Sequence, residues 1–224
     1  MDIRFATPMI LLVSAQLFTA NSIAQKTLSE GTIVYNISVE SKKAENNKVS
    51  VLNGAKSILY LKGSSSRSEM ISSLGNETSI FNAKTGSAVI LREYSGQKLM
   101  ITLSKANWDE KNKKYNSLLF DKSTETKMIK GYSCQKATGK LSDGSIITVF
   151  YATELGLTNK DYTSAFKNLP GLPMEYELET ENMKFTYTVS EIDLNSISAV
   201  KFEFPKSGYR VMSYEDNKQV KKEG

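Results

Sequence analysis

Apolar and polar residues alternate with period two along most of this chain. Ile33, Tyr35, Ile37 and Val39 interleave with Thr32, Asn36, Ser38 and Glu40. That spacing predicts a strand with one face buried and the other in water. Further strand-like segments fall at 58–61, 67–74, 78–82, 88–94 and 99–103, and the groups between them are turn-forming: Lys62-Gly63, Leu74-Gly75-Asn76, Lys84-Thr85-Gly86 and Ser95-Gly96-Gln97. Glycine and asparagine accept the positive φ that such turns need. Regular spacing of short strands predicts a meander in which consecutive strands lie side by side.

The rhythm breaks at 107–117, a Lys- and Asn-rich stretch that holds the single tryptophan, Trp108. It reads as a long loop with at most one helical turn. Strands resume over 128–141, and Ser142-Asp143-Gly144 predicts a hairpin, since Asp-Gly suits a tight I′ turn. Residues 146–152 answer across it. Asn159 is placed to cap a short helix over 159–167. Leu169-Pro170-Gly171-Leu172-Pro173 reads as neither helix nor central strand, because both prolines lack the N–H. Met174, Tyr176 and Leu178 then alternate with Glu175, Glu177 and Glu179, Phe185, Tyr187 and Val189 repeat the pattern, and 200–204 forms a last strand before Pro205. About ten or eleven strands with at most one or two short helices predict a mainly β fold: a single curved antiparallel sheet or open half-barrel.

The N-terminus changes which residues are expected to fold. Arg4, the apolar run from Met9 and the small-residue site Ser22-Ile23-Ala24 form the layout of a secretory signal. The run is shorter than the ~20 residues a membrane span needs. Residues 1–24 are therefore read as a cleaved signal peptide and 25–224 as one β-rich domain in the periplasm or outside the cell, with no transmembrane segment in the mature chain. The net charge of +5 comes mostly from dispersed lysines. A nucleic-acid surface clusters Arg, Lys and aromatics instead, so no nucleic-acid partner is expected. The basic tail at Lys218, Lys221 and Lys222 reads as a solvated C-terminus. Cys134 is the single cysteine; no internal disulfide can form, and its position in a predicted strand points to a buried, inert thiol.

The candidate chemistry is thin. The sequence contains no histidine, which removes Ser-His-Asp and Cys-His catalysis and histidine-ligated metals. No P-loop or EF-hand pattern occurs. The S-x-x-K pairs, Ser164/Lys167 among them, are no more frequent than the serine and lysine content yields by chance, and no partner motif supports them. Glu175, Glu177, Glu179 and Glu181 lie on one strand face about 6.5–7 Å apart, a spacing open to an inverting glycosidase but better read as a solvated strand face. The sequence therefore gives no catalytic, cofactor-binding or metal-binding residue, and no cofactor is expected.

A run of words after Lys130 carries a resemblance. Ile129-Lys130-Gly131-Tyr132-Ser133-Cys134-Gln135-Lys136-Ala137 is followed by Asp143-Gly144, then Val149-Phe150-Tyr151-Ala152-Thr153-Glu154, Phe166, Leu169-Pro170-Gly171-Leu172-Pro173 and Glu175-Tyr176. This order resembles uncharacterised exported bacterial proteins named for a GLPGLI motif, and a sister family with a similar G-x-P-L-E ending. Here the motif reads Leu-Pro-Gly-Leu-Pro-Met. The resemblance implies a Gram-negative envelope protein whose curved sheet is similar to that of periplasmic lipoprotein carriers, and it supplies no catalytic residue.

The functional expectation is a binding or carrier module for an apolar or amphipathic ligand, lipid or lipoprotein-like, rather than an enzyme. The alternative is an envelope assembly protein that pairs an exposed sheet edge with a protein partner. The candidate ligand-lip is Leu169, Pro170, Gly171, Leu172, Pro173 and Met174, a stiff segment with apolar side chains where surface polarity would be ordinary. Either both leucines cap the core, or Leu172 and Met174 face the ligand.

Overall fold

The computed structural model describes residues 26–42, 52–180 and 182–223. The expected signal segment, and the expected mature start at Gln25, lie outside them.

Two meanders make the sheet. The first runs through β2 (Glu30–Ser41), β3 (Lys56–Lys62), β4 (Ser65–Ser72), β5 (Gly75–Asn82), β6 (Ala88–Tyr94) and β7 (Gln97–Leu103). The second runs through β8 (Phe120–Ile129), β9 (Tyr132–Lys140), β10 (Ile146–Ala152), β12 (Leu172–Glu179) and β13 (Met183–Asp193). β13 pairs antiparallel with β2 and joins the two into an open twelve-stranded sheet, which ends at β8 on one side and at β14 (Arg210–Ser213) on the other. Two pairings are parallel rather than antiparallel: β14 with β7, and the small pair β1 (Lys26–Leu28) with β11 (Leu155–Leu157). The mainly β, curved, open sheet is the predicted class. Among the described residues no helix is long and apolar enough to cross a membrane.

The turns follow local chemistry. Ser95-Gly96 and Lys130-Gly131 both have positive φ at each central residue, the I′ geometry whose twist matches a hairpin. The second of these splits the expected 128–141 run into β8 and β9; Lys130 hid the turn because lysine rarely adopts φ near 50°. At Asp143-Gly144 only the glycine has positive φ, so that turn is a wider loop rather than I′. It is closed by Leu141 N–H to Ser145 O at 2.9 Å and Ser145 Oγ to Asp143 Oδ1 at 2.5 Å.

Paired registers define the faces. Ile33, Leu59, Ser68, Ser79, Ile90 and Ile101 form one row across β2 to β7, and Val149, Tyr176, Tyr187 and Ile37 form another across the junction of the meanders. These rows lie on the inner face. Leu28, Ile33, Leu61, Leu155, Leu172 and Met174 belong to the largest buried cluster. Cys134 sits in it with no exposed surface, and burial pushes its thiol up to about 11.

The C-terminal segment departs from expectation. Instead of a strand at 200–204 and a solvated tail, 194–209 crosses the outer face of the first meander, with a 3-10 turn at Ala199–Phe202, to place β14 beside β7. A helix, Tyr214–Glu223, follows. The crossing is fastened by polar contacts that periodicity does not reveal. Glu30 Oε1 accepts from Lys62 Nζ at 2.5 Å, Ile197 N–H at 2.5 Å and Ser196 Oγ at 2.9 Å. The Lys201 ammonium lies 4.2 Å from the Tyr60 ring centre, and Arg67 Nη1 donates to Lys201 O at 3.1 Å. Tyr209 donates its hydroxyl to Glu93 and packs on the buried Val89, Leu91 and Met100.

The Lys62 ammonium, then the Ile197 and Ser196 donors, hold the Glu30 carboxyl down to about 2. A depressed carboxylate stabilises the fold fully above its unfolded pKa, roughly 4.3, and loses that contribution as pH falls toward the folded value. Glu30→Gln should melt below wild type at neutral pH, with the gap closing between about pH 4.3 and 2. A gap in melting temperature that stays constant over that window would contradict this role for Glu30.

Candidate functional site

A groove on the inner face lies across the seam between the meanders. Its first cavity has a volume of about 430 Å³. Tyr35, Ser57, Leu59, Ser68, Ser79 and Tyr176 form the floor, contributed by β2, β3, β4, β5 and β12. The roof is α1 (Lys105–Lys111) and the 3-10 turn Lys113–Tyr115 after it, through Trp108, Lys111, Asn112, Lys114 and Tyr115. Tyr162, Ser164 and Phe166 close one side. A second cavity of about 460 Å³ adjoins it and shares Lys114 and Tyr115. Its walls are more apolar: Met70, Leu141, Ile147, Leu178, Phe185 and Tyr187.

Short as it is, α1 starts cleanly. Ser104 accepts from Asn107 N–H at 3.2 Å and Asn107 Oδ1 accepts from Ser104 N–H at 3.1 Å, a reciprocal cap that satisfies donors at the helix start. Seven residues do not make a helix that stands alone, so tertiary contacts hold it. Trp108 stacks on Phe81 with ring centres 4.7 Å apart. The C-terminal helix, α2 (Tyr214–Glu223), braces α1 from the other side, through Asn107 Nδ2 to Glu215 Oε1 at 3.0 Å and Lys218 Nζ to Glu110 Oε1 at 2.5 Å. The roof therefore depends on the last helix, whose basic, polar sequence predicts a solvated tail.

Aromatic rings dominate the floor at the seam. Tyr176 and Tyr187 are stacked with centres 4.5 Å apart, Tyr35 meets Tyr176 edge-on at 5.7 Å, and Phe166 lies 4.8 Å from Tyr176. Burial raises the Tyr35 and Tyr176 phenols well above their ordinary value and pushes Tyr187 up to about 12. These rings stay neutral at physiological pH. Ser57 interrupts the apolar phase of β3, and with Ser68 and Ser79 it gives the floor a strip of hydroxyls. The sequence carries this signal only at Ser57, which is in phase with Leu59 and Leu61; Ser68 and Ser79 share their phases with Ser66, Ser72 and Glu77.

The predicted lip lies elsewhere. Leu172 and Met174 are fully buried in the largest core cluster, Leu169 belongs to the second, and none of the six residues lines either cavity. Gly171 presses against the neighbouring strand: a Cβ there would sit 1.9 Å from Ala152 O. Contrary to the expectation that Leu169–Pro173 stays out of interior strands, β12 begins at Leu172. Proline is tolerated because pairing with β13 starts only at Glu175 and the register with β10 slips between Phe150 and Tyr151. At Pro173 the strand is locally an edge beside a bulge. Pro173 serves the site indirectly, accepting from the Tyr35 hydroxyl at 2.9 Å.

Two other expectations are altered. The 159–167 segment forms a single 3-10 turn, Lys160–Tyr162, and Asn159 makes no side-chain cap; its amide is buried without a partner. The glutamate comb is a ladder of ion pairs, Glu175 with Lys127 at 2.7 Å, Glu177 with Lys184 at 2.7 Å and Glu179 with Lys42 at 2.5 Å. Glu181 lies outside the described residues. Lys42 lowers the Glu179 carboxyl, the opposite of what a general acid requires.

The fold and groove thus define an open curved sheet with a roofed inner face. No known protein family matches the chain, and no curated protein matches it. Among solved structures it is similar to PNGF-II in a C2 crystal form, at 13% identity and TM-score 0.48 over 86% of this chain and 32% of that one. A P21 form gives 16% identity and the same TM-score over 86% and 33%. The chain spans about a third of the length of PNGF-II, and a likeness of this size carries no argument about activity.

Burial of Leu172 sets a stability test. Leu172→Ala should cost ~2–5 kcal/mol in urea unfolding. An unchanged unfolding midpoint would place this side chain outside the core.

Proposed function

We propose that this protein is a binding or carrier module for an amphipathic ligand, lipid or lipoprotein-like, held in the inner groove, and that it acts in the envelope without catalysing a reaction. One observation carries this reading. Two adjoining cavities of ligand size share a wall, the first lined by aromatic rings together with serines and lysines and the second mainly by aliphatic and aromatic side chains. Small-molecule sites have that composition and a volume of ~300–1,000 Å³. The N-terminal signal pattern supports a location outside the cytoplasm.

A second reading, assembly through a sheet edge, has a specific feature in its favour. β8 is an outer strand of the sheet, ten residues long and mostly exposed. Its chemistry argues the other way. It carries Asp121, Lys122, Glu125 and Lys127, and its register with β9 shifts between Lys122 and Thr126. Charges and bulges are how edge strands avoid pairing, so the groove is the stronger candidate.

Trp108 is the only tryptophan and lines the first cavity. Titration of the purified domain with a lysophospholipid below its micelle threshold should shift Trp108 emission saturably. Ser68→Phe, at an exposed floor position, should weaken binding at least tenfold by calorimetry and leave the melting temperature nearly unchanged. No saturable binding by wild type, or full binding by Ser68→Phe, would overturn the groove as the site.

A further inference from the structure

The two cavities differ in chemistry along the groove, and the difference has a direction. The first is floored by serines and roofed by Lys111 and Lys114, and among the described residues no carboxylate lines it. The ammonium of Lys111 lies 5.6 Å from the Trp108 ring centre and that of Lys114 lies 4.9 Å from the Tyr115 ring centre. Both charges are thus kept close to roof rings that themselves line the cavity. The second cavity is walled by Met70, Leu178, Phe185 and Tyr187, and its lining also holds the carboxylates of Asp143 and Glu179 and the shared Lys114. Ser145 holds the Asp143 carboxyl low, so that end stays negative; Lys42 balances Glu179. Lys114 and Tyr115 border both cavities, and one stacked pair spans them, Tyr176 on the first side and Tyr187 on the second.

We infer that the groove takes a single-chain amphiphile with an anionic head, the head seated among the serines and lysines of the first cavity and the tail running past Tyr115 into the second. This inference rests on the groove being an amphiphile site and adds the sign of the head and the direction of the chain. Charge complementarity fixes the orientation. Lys111 lines only the first cavity and attracts an anion there, Asp143 lines only the second and repels one, and at short range in a partly enclosed site these effects exceed their value in bulk water. The serine hydroxyls can donate to head-group oxygens. The apolar walls of the second cavity reward each methylene removed from water. Tyr115 is then the specificity-determining residue of the passage, positioned by the 3-10 turn that follows α1.

Calorimetry with three probes of equal chain length, dodecanoate, dodecylamine and dodecanol, tests the head. Wild type should bind dodecanoate at least tenfold more tightly than dodecylamine. Lys111→Glu/Lys114→Glu, at two exposed positions, should reverse that order while the circular dichroism stays native. Octanoate and hexadecanoate test the tail. Affinity should rise with chain length in wild type, and Met70→Trp, which fills the second cavity, should weaken hexadecanoate at least tenfold and octanoate little. Equal binding of dodecanoate and dodecylamine, or an equal loss of short and long chains in Met70→Trp, would overturn the inference and leave the amphiphile site standing. Failure of all three dodecyl probes to bind would instead overturn the amphiphile site itself.

Discussion

Ten residue pairs between β2 and β13, from Met183 opposite Ser41 to Asp193 opposite Thr32, join two meanders that otherwise share no strand. Every other antiparallel pairing in the sheet is between neighbours in its own meander. Without the seam, β2 and β13 would each be an exposed edge. The inner groove has its floor there: Tyr35 comes from one side, Tyr176 and Tyr187 from the other, and the stack of the last two depends on the register that β12 and β13 share. Site and seam are one construction. The pairing joins residues some 140–160 positions apart, so closing it carries a loop-entropy cost that local hairpins avoid.

Other parts of the molecule reinforce the seam from outside. Directly after β13 the chain crosses the outer face of β2 to β7 and is tied down at Glu30, Lys62, Arg67 and Glu93. It then returns as β14 and α2 to support the roof. Arg92, ion-paired with Glu77 at 2.7 Å, also donates to Asn217 of α2 at 3.2 Å. The last 30 residues therefore link the outer face, the far edge and the groove roof. Most of these ion pairs are partly exposed, and such pairs contribute little singly; their effect is to fix where the crossing lies.

The sequence made the sheet legible wherever one face is buried and the other wet. The period-two pattern at 33–39, the exact bounds of β6 and β10, and the alternation of Met174, Tyr176 and Leu178 with glutamates all reflect that asymmetry. It failed where a tertiary contact outweighed the local pattern. Val200 and Phe202 look like strand residues but lie in a 3-10 turn held by Arg67 and Lys201. The tail, polar by composition, forms a helix because α1 and β7 offer it partners. Pro173 enters an interior strand because a bulge and a late-starting neighbour leave its missing N–H without consequence. The groove was half legible. The abundance of inward aromatics pointed to an apolar inner face, but the Leu169–Met174 segment drew attention because apolar residues in a Pro-rich stretch resemble a lip, when burial of Leu172 and Met174 explains them. Ser57 is readable as a polar break in the apolar phase of Leu59 and Leu61, whereas Ser68, Ser79 and the lysines of the roof gain meaning only once α1 is folded over the floor.

If the seam makes one structure of the two meanders, β2 and β13 should be as stable as the molecule as a whole. Native-state amide hydrogen exchange measures this directly. Amides of Asn36, Ser38, Thr186 and Thr188, which face one another across the seam, should exchange only by global unfolding, with the same free energy as those of Ile90 in the first meander and Val149 in the second. Exchange of the seam amides at a markedly lower free energy, with either meander remaining protected, would show two units that fold independently and would contradict the dependence of the groove on their union.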